Sequence, residues 1–147
     1  DLRSNPGGLL DAATNVMSNF VPKGSTVARI ASRNKTRTEK TSLAPVLNPS
    51  VPVIVLINGG SASASEIVAG SLQDHDRAIV VGEKSFGKGT VQQVLQFNDQ
   101  SAFKMTIAEW LTPDGRKIDG NGIMPDVLIE EGERDEQMSR AIELLRR

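Results

Sequence analysis

Val51-Pro52-Val53-Ile54-Val55-Leu56-Ile57-Asn58-Gly59-Gly60-Ser61-Ala62-Ser63-Ala64-Ser65-Glu66-Ile67-Val68 is the stretch on which the fold turns. Its first part, Val51 to Ile57, is rich in Val and Ile with no polar alternation. That pattern suits a strand buried on both faces, as in a parallel sheet. Asn58-Gly59-Gly60 breaks the strand. A helix then reads from about Ala62 to Gln73, with Ala64, Ile67, Val68, Ser71 and Leu72 on one face, and Ala78 to Val81 forms a second short buried strand. Strand, helix and strand within roughly thirty residues make a βαβ unit, whose crossover is expected to be right-handed. The fold class is therefore α/β.

Working outward, Gly7-Gly8 gives way to Leu9, Ala13, Val16 and Phe20, the stripe of an amphipathic helix ending before Pro22. Lys23 to Lys40 holds six basic residues and one acidic one, Glu39. It reads as a solvated loop, with a partner-binding strip as the alternative. Beyond the βαβ unit, Val91–Phe97 and Ala102–Leu111 read as two strands around an Asn98-Asp99-Gln100 turn. Pro113-Asp114-Gly115 marks another turn, Val127–Ile129 a last short strand, and Met138, Ala141, Ile142 and Leu145 the apolar face of a C-terminal helix. Asp1-Leu2-Arg3 opens directly onto the turn Ser4-Asn5-Pro6-Gly7-Gly8, so residues 1–147 are read as a core fragment whose preceding strand is not included.

Composition narrows the chemistry. The 147 residues, 38% hydrophobic and 24% charged, suit one domain around one core. A net charge of −1 supplies no field for nucleic acid, and Pro52–Ile57, the longest apolar run, is far too short to span a bilayer. There is no cysteine and no tyrosine, and His75 is the single histidine. Thiol nucleophiles, thiolate metal sites and His-rich metal sites are thereby excluded. Any general base must be Lys, Asp, Glu or His75.

Three loops are candidates for chemistry. Ser61 to Glu66 follows the buried strand and opens the helix, so a hydroxyl there sits at the positive end of the helix dipole, among unpaired backbone N–H groups able to hold an oxyanion. Ser63 followed by Glu66 is also a capping box, and that ordinary reading stands beside the catalytic one. Gly82-Glu83-Lys84-Ser85-Phe86-Gly87-Lys88-Gly89-Thr90 nearly spells a phosphate-binding loop, but Gly89 stands where a magnesium-binding hydroxyl is needed, and a β-like run follows instead of a helix. What remains is Lys88 on a glycine-rich turn, where burial would lower its pKa toward that of a base; a surface lysine is the alternative. Asn5-Pro6-Gly7-Gly8 can turn backbone N–H groups toward a ligand, or can be a plain tight turn. His75 lies about three helical turns from Ser63, ~18 Å at 1.5 Å per residue, and cannot serve it.

Asp1–Gly8, Gly60–Glu66, Gly82–Gln92 and Thr112–Asp126 together resemble, in order, the carboxyl-terminal processing peptidases, also called tail-specific proteases. The resemblance covers nearly the whole chain. It implies a crotonase-like α/β core and a serine–lysine dyad, with Ser63 as nucleophile, Lys88 as base and Gln92 orienting the lysine. It implies oxyanion donors at the backbone N–H groups of Ala64 and of Gly8 rather than Gly7. It implies endopeptidase action near protein C-termini without metal or other cofactor, a PDZ domain in the intact chain, and a periplasmic or cell-envelope location. Protein or peptide tails are the expected partners. An unpaired sheet edge would invite a homo-oligomer or swapped dimer. A peptide-binding module on the same fold, without catalysis, is the alternative.

Overall fold

The structure, a computed structural model, describes residues 1–132 and 134–146. The βαβ unit is present: β3 (Ile54–Ile57), α2 (Ala64–Asp74) and β4 (Ile79–Gly82), with β3 and β4 parallel in the register Ile54↔Ile79 to Ile57↔Gly82. β7 (Val127–Leu128) pairs parallel to the other side of β4. The strand expected from Val51 begins only at Ile54; Pro52 has no N–H to give a ladder. From α2, Ile67, Val68 and Leu72 enter the core at 7% exposure or less, each contributing roughly 1.5–3 kcal/mol by burial. Nearly the whole helix is enclosed, from Ala64 to Leu72, so its axis is fixed from several sides.

A second sheet, antiparallel, has the order β2-β1-β6-β5, with β1 Thr26–Ser32, β2 Lys35–Lys40, β5 Thr90–Gln96 and β6 Ala102–Leu111. The loop expected over Lys23–Lys40 is thus a hairpin. Val27, Ala28 and Ile30 of β1 enter the main core, while β2, Lys-Thr-Arg-Thr-Glu-Lys, forms an exposed edge. The basic residues concealed a strand because they sit on its solvent side or on the edge, where charge discourages unwanted pairing.

Two apolar stripes differ from those expected. In α1 (Leu10–Met17) the core is met by Ala13, Thr14 and Met17, whereas Leu9 and Val16 are exposed and line a cavity described below. In α3 (Glu136–Leu145) the buried residues are Gln137 and Ala141. Met138 and Leu144 pack beside Ala141 against Leu56 and Val81, while Ile142 and Leu145 face solvent. The stripe fails there because a buried glutamine occupies the inward face, for a reason taken up below.

Candidate active site

Ser63 stands where β3 has ended and α2 begins, as the residue before the first helical turn. Its backbone is at φ 56°, ψ −116°, a region that disfavours side chains other than glycine. Strain of this kind needs surroundings that impose it. Here Ala62 N–H donates to Asn5 O at 3.0 Å, Ser65 N–H to Ala62 O at 3.1 Å and Ile67 N–H to Ser63 O at 3.0 Å. Ser63 N–H donates to Glu66 Oε2 at 2.8 Å, the Glu66 half of the expected capping box.

Glu66 does more than cap. Its side chain is fully buried, and its carboxylate also accepts Lys88 N–H at 2.9 Å, Gly87 N–H at 2.6 Å and the Ser85 hydroxyl at 2.6 Å. No cation pairs with it among the described residues. A buried carboxylate is tolerable only when donors replace its water, and four donors from two loops do so here. Two of them, from Ser63 and Lys88, converge on the same oxygen. The sequence suggests only a cap for Glu66, since no local signal brings the distant glycine-rich turn onto its carboxylate. The same contact disposes of the phosphate-loop reading, because the amides of Gly87 and Lys88 already bind an anion of the protein itself, and the loop continues into β5 rather than a helix.

The lysine turn is held from behind as well. Ser85 Oγ accepts Ile123 N–H at 2.6 Å, Phe86 N–H donates to Ser61 O at 3.0 Å and Gly120 N–H to Gly87 O at 2.9 Å. A Cβ on Gly89 would sit 2.1 Å from Asp119 N, so only glycine lets residues 119–123 lie against the turn. Lys88 itself is exposed, as an ordinary surface lysine would be, on a turn packed through its backbone. No hydrogen bond joins Lys88 to Ser63 Oγ or to Gln92 among the described residues. Gln92 is exposed on β5, beside a register irregularity at Val91/Gln92. His75, at the C-cap of α2, instead has its Nε2 at 2.7 Å from Thr26 O, outside this site.

The first loop lies against the serine. Gly7 has φ +88°, and a Cβ there would fall 2.4 Å from Ala62 O and 2.7 Å from Ala64 N. Its N–H donates to Asn5 Oδ1 at 2.9 Å, which removes it as a ligand donor. The N–H groups of Gly8 and Ala64 have no protein acceptor among the described residues. Both residues border a cavity of about 180 Å³, whose wall includes Leu2, Leu9, Val16 and Val68. The site thus brings together a serine on a strained backbone, two free backbone donors, an apolar cavity and, through Glu66, a lysine-bearing turn. That set suits nucleophilic attack on a carbonyl with the resulting oxyanion held by N–H groups.

The chain is 47% identical over 131 residues to a carboxy-terminal-processing protease of Bartonella bacilliformis, covering 89% of this chain and 30% of that protein. It is 46% identical over 131 residues to a probable CtpA-like serine protease of Staphylococcus aureus, covering 88% and 26% respectively. Among solved structures it is similar to a photosystem II D1 C-terminal processing protease, with TM-score 0.82 and 35% identity over 95% of this chain and 37% of that one. The chain therefore spans less than a third of the length of these two curated relatives. The model of peptidase family S41 matches residues 1–129, a span that takes in every loop of the site, and the chain belongs to that family.

Proposed function

We propose that this chain is the catalytic core of a serine endopeptidase that cuts proteins at or near their C-termini, on a crotonase-like arrangement of the α/β fold. The observation that carries the reading is the sharing of one buried carboxylate, Glu66, by the backbone of Ser63 and the backbone of Lys88. Lys88, oriented by Gln92, accepts the Ser63 proton as Oγ attacks the peptide carbonyl. The oxygen takes the negative charge between the N–H groups of Gly8 and Ala64. The C–N bond then breaks, the leaving amine takes the proton from Lys88, and water releases the acyl group from Ser63. The apolar cavity beside Gly8 and Ala64 receives an aliphatic side chain next to the scissile bond. No cofactor takes part in these steps. A PDZ domain in the intact protein and a periplasmic or envelope location, which the resemblance implies, belong to the same proposal, as does self-association through an unpaired sheet edge.

Incubating the purified full-length protein with an unfolded substrate, and weighing the products, tests this reading. Expected are fragments shortened from the C-terminal end, with aliphatic residues at the new termini. Cuts scattered through the substrate, or after charged residues, would contradict it. A non-catalytic peptide-binding role would leave the substrate whole.

A further inference from the structure

Arg3 joins the oxyanion loop to a helix that lies beyond the matched span of the family model, which ends at residue 129. Its guanidinium is fully engaged. On one edge Nε and one terminal nitrogen reach the Asp1 carboxylate at 3.0 and 2.7 Å. On the other, the two terminal nitrogens fork onto the two oxygens of Asp135 at 2.7 and 3.0 Å. Asp135 is the N-cap of α3 and simultaneously accepts Met138 N–H at 2.9 Å. Gln137, 1% exposed, accepts from Arg3 at 3.3 Å and donates to Ile129 O at 2.8 Å. That explains why a glutamine occupies the inward face of α3. Hydrogen bonds from Arg3 and from the Met138 amide hold the Asp135 carboxyl below the usual carboxylate range. Its stabilising contribution is therefore present above the ordinary aspartate pKa and lost as pH falls through the lowered value.

On the far side of Arg3, the loop touches the site directly. Leu2 O accepts the Ser61 hydroxyl at 2.7 Å, Ser4 N–H donates to Asn58 Oδ1 at 2.8 Å, and Leu2 shares the apolar cavity wall with Gly7 and Gly8. α3 is itself seated on β3 and β4 through Ala141, Leu56 and Val81. The loop is thus held between the serine turn and a helix anchored to the strand that delivers that turn. We propose that Arg3 and Asp135 are positioning residues, through which α3 fixes the Gly8 amide and the Leu2 wall relative to Ser63. This rests on the serine peptidase reading above.

The test exploits the double duty of Asp135. In full-length protein, Asp135→Asn keeps the helix cap, since asparagine caps as well as aspartate, but loses the ionic fork. Its kcat on a peptide substrate is expected to fall about tenfold, the scale of a sub-ångström misplacement of a catalytic group, with KM near wild type and melting temperature lowered only by the loss of an exposed ion pair. Arg3→Lys should show the same fall, because a single ammonium cannot fork onto two carboxylates. A wild-type kcat in both variants would overturn the inference. So would a loss seen in Asp135→Ala but restored in Asp135→Asn, which would make the contact a helix cap only. Ser63→Ala run in parallel keeps the two proposals separate: activity surviving that change overturns the peptidase reading itself, whatever the Asp135 variants do.

Discussion

Ser63→Ala is expected to lower the cleavage rate by roughly four orders of magnitude or more, the scale on which serine peptidases lose activity without their nucleophile. Binding of the same substrate should persist, because the apolar cavity and the Gly8 and Ala64 donors do not involve the hydroxyl. Folding should also be spared. Ser63 contributes its backbone N–H to Glu66 and its carbonyl to Ile67, and alanine retains both. The residue stays at positive φ, so the substitution neither adds nor removes backbone strain. Cleavage kinetics, with a melting curve on the same sample, check this: a large rate loss at unchanged melting temperature is the expected pair.

Glu66→Ala should be costly in both respects. It leaves the N–H groups of Ser63, Gly87 and Lys88 and the Ser85 hydroxyl without their acceptor. A buried group stripped of its partner costs about 1–3 kcal/mol, so a loss of at least about 4 kcal/mol is expected, among the larger effects of single substitutions. Glu66→Gln separates stability from catalysis. Its oxygen can serve one pair of donors, but its NH2 must then face the other pair. The variant should remain folded, with kcat lowered about a hundredfold and KM little changed, since the serine and the lysine turn lose their common anchor. A Glu66→Gln enzyme with wild-type kcat would show the carboxylate to be a helix cap and nothing more.

The parts of the fold legible in the sequence are those whose signal is local. The Val-Ile run before Asn58-Gly59-Gly60, the face of α2 and the β5–β6 hairpin each depend on near neighbours, and each is present. The β1–β2 hairpin was read as a loop because its edge strand carries charge on both faces and its apolar residues pack against distant elements. The stripes of α1 and α3 slipped because one helix side faces an apolar cavity and the other buries a polar residue serving Arg3. At the site, the loops carrying Ser63, Lys88 and Gly7-Gly8 stood out as candidates, and the family resemblance implied the roles of Ser63, Lys88, Gln92, Gly8 and Ala64. The sharing of Glu66 could not be read there, since it depends on two loops 22 residues apart meeting at one oxygen. Whether Lys88 is buried was not legible either, since its turn is packed through backbone contacts with distant residues while the residue itself stays exposed.

The proposed mechanism makes Ser63 a nucleophile activated by Lys88. Its most direct test is the rate and site of covalent labelling by a fluorophosphonate, followed by intact mass and peptide mapping of the full-length protein. Wild type should take up one label per chain, at Ser63, and Lys88→Ala should label at least about a hundredfold more slowly, the scale of a lost general base. Labelling elsewhere, or an undiminished rate at Ser63 in Lys88→Ala, would contradict the claim.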